Sequence, residues 1–289
     1  MIDFYKDIKD GLHYNKFECN GIICIEYTCP IPKDKFDLWF RSDLIVHVLS
    51  GKKTWRTFDH ENTAAAGETM YIKKGGSHVR QYFFEDFCML GFFVSDDFIR
   101  RTISEFREKL SIIKNKSDTS FQVTKITNSP ALTGCFQSLL HYFKEKQPPN
   151  ESLLSLKCKE LILGIISNSD NQYLTNYLLE VSKLQAPGLS EVMEKNFCFN
   201  LSLADFADLS NRSLSTFKRD FQRIYKQSPG KWLLEKRLQH AAGLLFTDKL
   251  NIGQVAYECG FEDISHFSRT FRQKFGETPL NYRKQVISH

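Results

Sequence analysis

Two sets of short polar and basic side chains carry the chemistry that is legible in this chain. Ser215, Lys218 and Arg219 form one set, and Ser265, Ser268 and Arg269 form the other, fifty residues further on. Residues three and four apart share a helix face, so each set places hydroxyl and cationic donors together on one side of a helix. Donors of that kind near a helix start match the hydrogen-bonding edges that bases expose in the major groove of double-stranded DNA. Arg223, Lys226, Arg272 and Lys274 follow on the same stretches and suit phosphate contact, which orients a protein on the duplex without reading sequence. Behind these faces run apolar stripes at helical spacing: Leu214, Phe217, Phe221 and Ile224 in the first, and Ile264, Phe267, Phe271 and Phe275 in the second.

The elements that must position these faces are written twice. Leu203-Ala204-Asp205-Phe206-Ala207 matches Ile252-Gly253-Gln254-Val255-Ala256, and Phe217, Phe221, Tyr225, Pro229 and Trp232 match Phe267, Phe271, Phe275, Pro279 and Tyr282. The offset of fifty is reached through one extra residue in the second turn. Each copy reads as helix, tight turn, helix. Ser202 and Asp205 form a capping box for the first short helix, Ser210-Asn211 breaks it, and Ser213 opens the longer one. In the second copy Cys259-Gly260-Phe261 makes the turn. Between the copies, Ser228-Pro229 places proline at the first helical position, and Leu234, Leu238, Ala241 and Leu245 carry one helix to Phe246. Eighteen residues of helix span roughly 27 Å, a spacer close to one DNA turn of roughly 34 Å.

Residues 188–285 resemble the DNA-binding domain of the AraC/XylS family of bacterial transcription regulators. The resemblance is carried by the matched pentapeptides, by residues 213–221, by Gly260-Phe261-Glu262-Asp263, by residues 267–272 and by Gly276-Glu277-Thr278-Pro279-Leu280-Asn281-Tyr282-Arg283. It implies that bases are read by Ser215, Lys218 and Arg219 on one long helix and by Ile264, Ser265, Ser268 and Arg269 on the other. Ile264 departs in kind, since an aliphatic group offers only van der Waals contact, and it also falls on the apolar stripe. The family implies an activator working with RNA polymerase, with an amino-terminal sensor domain.

Composition agrees with this division. The chain has 289 residues and a net charge of +5, which suits two domains. Residues 188–289 hold 15 Lys+Arg against 11 Asp+Glu, so most of the excess positive charge lies there. The eight cysteines include no Cys-x-x-Cys pair, and the spacing of Cys19, Cys24 and Cys29 fits no common zinc pattern. Reduced thiols, no metal, no cofactor, no membrane span and a cytoplasmic location are expected.

The amino-terminal half predicts many short strands. Three apolar runs, residues 21–27, 44–49 and 87–94, are separated by Pro- and Gly-rich turns. Residues 67–78 resemble the second cupin motif, with Lys73 at its usual proline and His78 at its end. A cupin-like β-barrel follows as the expected fold, with His78, Tyr71 and Phe92 as candidate lining of a ligand pocket. Phe83, Phe84, Phe87, Phe92 and Phe93 read as core rather than pocket. The alternative of a metal-dependent cupin enzyme with a helical assembly tail lacks the first cupin motif, and one histidine cannot supply three or four protein ligands.

Helices are expected over 96–110, 130–144, 151–167 and 171–184. The third is apolar over more than one stripe, which either a homodimer interface through 151–184 or packing on the barrel would explain. The expected organisation is therefore α+β: a cupin-like sensor domain over 1–110, a helical dimerisation segment over 111–184, a linker at 185–188, and an all-α double helix-turn-helix domain over 189–289. Its regulator is either a small molecule or a protein partner.

Overall fold

The computed structural model describes residues 1–287 apart from 13, 20, 59, 84–85, 107–120, 146–148, 184–187 and 247–249. The expected linker and the polar loop after residue 110 thus lie almost wholly outside the described residues, as does Phe84. Contacts divide the chain into Met1–Gln185 and Ala186–His289.

The first unit runs β1 (Ile2–Asp3), α1 (Phe4–Asp10), β2 (Asn15–Cys19), β3 (Ile22–Thr28), β4 (Lys35–Phe40), β5 (Asp43–Ser50), β6 (Lys52–Arg56), β7 (Glu61–Ala65), β8 (Thr69–Ile72), β9 (Gly75–Gln81) and β10 (Cys88–Val94), then α2 (Asp96–Phe106), β11 (Val123–Ile126), α3 (Pro130–Lys144), α4 (Glu151–Ile166) and α5 (Gln172–Val181). The strands form two sheets, in the orders β1-β4-β9-β6-β7 and β11-β8-β5-β10-β3-β2. The α+β class is as expected. Among the described residues the strands pair as two hydrogen-bonded sheets, with no pairing that closes them into a ring.

The three apolar runs become β3, β5 and β10, adjacent in the six-stranded sheet. Side chains alternate between sheet faces, and here both faces are buried. Ile23, Ile25, Val46, Met89 and Phe93 pack between the sheets with Phe36, Leu38, Trp55 and Val79. Cys24, Ile45, Leu90 and Phe92 face α3, α4 and α5. A strand covered on both sides has no need of polar alternation, which is why these runs are continuous.

The helical layer is anchored by one buried acid. The Oδ2 of Asp43 accepts hydrogen bonds from Tyr71 at 2.6 Å and from Tyr177 of α5 at 2.7 Å, while Oδ1 accepts from the Lys74 backbone N–H at 2.8 Å. Burial pushes the Asp43 carboxyl above the usual carboxylate range, with nearby Asp96 adding to it and Lys74 opposing. Lys73, in the motif's proline position, is also buried, with its ammonium 3.8 Å from the Tyr177 ring centroid and 4.1 Å from that of Phe121.

The proposed pocket trio is not brought together. Tyr71 and Phe92 lie on the helix-facing side of the six-stranded sheet. His78 lies in the other sheet, where its neighbour Val79 points inward and His78 therefore outward. Its Nδ1 is 2.7 Å from Asp37 Oδ1, a cross-strand pair rather than a ligand to an interior metal. Phe83, expected in the core, is 60% exposed, whereas Phe87, Phe92 and Phe93 are buried.

Tyr177→Phe removes one donor from a buried carboxylate and is expected to cost about 1–3 kcal/mol. That bond stabilises the charged form, so its loss raises the folded Asp43 pKa further. An acid whose folded pKa lies above its unfolded value loses folding stability as pH rises between the two. The deficit of the variant, measured by urea unfolding, should therefore be constant in acid and grow as pH rises through the folded pKa of Asp43, which burial holds above the ordinary carboxylate range.

Candidate nucleic-acid interface

The second unit contains α6 (Leu189–Asn196), α7 (Leu203–Leu209), α8 (Leu214–Tyr225), α9 (Pro229–Leu245), α10 (Ile252–Glu258), α11 (Ile264–Phe275) and α12 (Pro279–Ile287). The repeat holds at the level of caps. Ser202 and Asp205 form a capping box on α7, and Asn251 and Gln254 form one on α10. The second box was not singled out from sequence, although Asn followed three residues later by Gln is the signal for it. α8 opens on Ser213, whose Oγ accepts from Thr216 N–H, and α11 opens on Asp263, which accepts from Ser265 N–H. α9 opens on Ser228 with Pro229 inside its first turn, and its 17 residues span about 26 Å.

The turns between the paired helices differ by one residue. Asn211 takes a left-handed conformation in the first (φ 52°), and Gly260 does so in the second (φ 79°). A Cβ on Gly260 would lie 2.5 Å from the Cys198 carbonyl oxygen, so no other residue fits there.

Matched aromatic triads lock each long helix onto the helix that follows. Phe221 stacks on Tyr225 at 4.4 Å, and both meet Trp232, at 6.0 and 5.4 Å. Fifty residues on, Phe271 meets Phe275 at 4.5 Å, and both meet Tyr282, at 5.3 and 5.5 Å. The first triad carries a tyrosine hydroxyl at the position of Phe275 in the second, and that Tyr225 oxygen is buried with no hydrogen-bond partner.

The side that faces away from these triads is polar. Ser215, Lys218, Arg219, Ser265 and Arg269 are exposed and Ser268 is half-buried, and the two sets are in register at i, i+3 and i+4. Lys218, Arg219, Lys226, Arg269, Arg272 and Lys274 are exposed with no ion pair among the described residues. Arg223 differs: its guanidinium reaches Asp220 at 3.4 Å, although the side chain stays 73% exposed. The buried stripes are narrower than the sequence spacing implies. Phe217, Phe221, Phe267 and Phe271 are fully buried, but Leu214, Ile224 and Ile264 are 40%, 52% and 52% exposed. Both helices lie on the surface, and a surface helix needs only a narrow seam to dock.

Arg237 of α9 holds the unit together, and the sequence reading missed it. Its Nε donates to the Phe197 carbonyl at 2.6 Å, Nη2 to Phe199 at 2.8 Å and Nη1 to Gly260 at 3.1 Å. Burial lowers its pKa from the ordinary arginine value. The signal was available, since Leu233, Arg237 and Ala241 share one face of α9 and the two apolar members are buried.

With that geometry in hand, residues 206–285 match a family model described as a helix-turn-helix domain, and residues 43–177 match one described as the ExsA N-terminal regulatory domain. The HTH-type transcriptional regulator ExsA of Pseudomonas aeruginosa is 28% identical over 237 residues, covering 82% of this chain and 84% of its own. The virulence regulon transcriptional activator VirF of Yersinia enterocolitica is 27% identical over 267 residues, covering 92% and 97%.

Residues 206–285 thus carry a helix-turn-helix domain of the AraC type, and the relatives matched along most of the chain are transcription regulators of the AraC family.

Among solved structures, a variant of ToxT from Vibrio cholerae overlaps 93% of this chain and 100% of its own at 15% identity and a TM-score of 0.44. The domain match and these relatives make the chain a DNA-binding transcription regulator, with the double helix-turn-helix as its DNA-binding domain. Among the described residues no helix is long and apolar enough to cross a membrane.

Arg237→Met is expected to leave three carbonyls without their donor and to destabilise the second unit by about 3 kcal/mol, measured by thermal unfolding of the full chain. Tyr225→Phe, which removes an unpartnered buried hydroxyl, should be neutral or stabilising by up to about 1 kcal/mol in the same experiment.

Proposed function

We propose that this regulator reads its operator with α8 and α11 together and acts as an activator. The reading rests chiefly on one observation: two equivalent helices, in equivalent capped frames, present hydroxyl side chains and cationic side chains without an ion pair among the described residues at the same three offsets. Ser215, Lys218 and Arg219 read one half of the site, and Ile264, Ser265, Ser268 and Arg269 read the other. Lys226, Arg272 and Lys274 contact phosphate, with Arg223 shared between phosphate and Asp220. Lys226 supports that role in a second way. It holds a left-handed conformation (φ 56°) where the matched residue is Gly276, at a cost of about 1–2 kcal/mol for a residue with a Cβ.

The names of the relatives, a transcriptional regulator and a transcriptional activator, support the activator sense and recruitment of RNA polymerase. The match to a regulatory-domain model supports control of DNA binding through the first unit, by a small molecule or a protein partner. Self-association through residues 151–184 fits the exposure of Leu153 and Leu156 on α4, at 44% and 59%, because large aliphatics grouped on one exposed helix are characteristic of interfaces. A cytoplasmic, non-enzymatic protein follows from the same reading.

Arg219→Ala and Arg269→Ala are each expected to cost about 1–3 kcal/mol at one position of the site and to relax preference there. Selection from random DNA with each variant checks this: preference should relax in different halves, and a uniform weakening on every sequence would contradict the assignment. Leu156→Glu should shift the protein toward monomer in sedimentation velocity, and an unchanged distribution would remove α4 as the interface.

A further inference from the structure

We infer that Leu214 and Ile264 are a matched pair of specificity residues, each reading the C5-methyl group of a thymine, one in each half of the operator. The inference rests on the DNA-reading role of α8 and α11 and adds a recognition element that the polar side chains do not supply.

Each residue occupies the first position of its 12-residue helix. Leu214 is 40% exposed and Ile264 is 52% exposed, whereas Phe217 and Phe267, three residues on, are fully buried. A single exposed aliphatic is ordinary on a protein surface. Two at the same place in both copies, fifty residues apart, repeat like the base-reading residues themselves. The helix start is the part of a recognition helix that reaches the base edges. Leu214 shares a helix face with Lys218, and Ile264 with Ser268, because each pair is four residues apart. The apolar group therefore borders the polar reading face.

Neither side chain has a donor or acceptor, so the one base feature it can recognise in the major groove is the thymine methyl. Ile264 is also held in place. Its Cδ1 lies 3.1 Å from where a Cβ on Gly253 would stand, so the side chain rests on α10 through a gap that only glycine leaves. The caps fix both helix starts, with Thr216 N–H on Ser213 Oγ at 3.3 Å and Ser265 N–H on Asp263 Oδ1 at 2.8 Å. An occupant other than DNA would have to sit against the unpaired Lys218, Arg219 and Arg269, which favours a polyanion over an apolar protein surface.

The test uses the full chain and a site selected from random duplex DNA. Each thymine is replaced in turn by deoxyuridine, which removes the methyl group alone, and affinity is read by fluorescence anisotropy. Two thymines about ten base pairs apart should each show a loss of about fourfold, the worth of one buried methyl-sized group. Leu214→Ala should abolish the sensitivity at one of them and leave the other, and Ile264→Ala should do the reverse. Insensitivity at every thymine, or sensitivity that survives both variants, would overturn the inference while leaving sequence-specific binding intact. Failure of the unaltered protein to enrich any sequence would overturn the DNA-reading role as well. The deoxyuridine scan on the unaltered protein needs no variant, so a substitution that unfolds the chain does not block the test.

Discussion

Three backbone carbonyls share one buried guanidinium, and the architecture of the DNA-binding unit depends on that arrangement. Arg237 sits on α9, between the two helix-turn-helix copies. It donates to Phe197 and Phe199 in the segment leading into the first copy, and to Gly260 in the turn of the second. A buried cation is costly unless its hydrogen bonds are made, and here the geometry makes them. The same constraint explains Gly260, whose missing Cβ lets the turn close on Cys198 within reach of Arg237. The two copies are thereby tied to one rod instead of hanging from a tether.

Around that tie, one local solution is used twice. A capping box starts each short helix, a left-handed residue turns the chain, a side-chain oxygen caps each long helix, and an aromatic triad fastens it to the next. The differences fall where they cost little. One extra residue enters a surface turn, and a tyrosine hydroxyl enters one triad without a partner. The first unit follows another logic. Its six-stranded sheet is buried on both faces, and the helices beyond it are pinned by Asp43 through Tyr71 and Tyr177. Sheet and helices therefore share a polar node that a titration can reach.

Much of this was legible in the sequence because it is local. Helix limits over 130–144, the Ser202 and Ser228 caps and the constant offset of the repeat all follow from spacing and chain chemistry. What was not legible depends on distant partners. The acceptors of Arg237 lie 23 to 40 residues away, and Tyr177 reaches Asp43 across 134 residues. The pocket reading of His78, Tyr71 and Phe92 erred because motif spacing does not say which face of which sheet a strand residue takes. Leu214 and Ile264 misled for a related reason. Apolar spacing marks the side of a helix that could be buried, whereas the neighbours decide how wide the buried seam is.

The central claim is that α9 and Arg237 hold α8 and α11 at a fixed separation. Hydroxyl-radical footprinting of the full chain on a selected operator, and on the same operator with two base pairs inserted between its halves, tests this most directly. A fixed separation gives two protected windows on one side of the duplex, about one turn apart, and loses one of them on insertion. Two windows that simply move apart with the inserted base pairs would show a flexible tether and contradict the account.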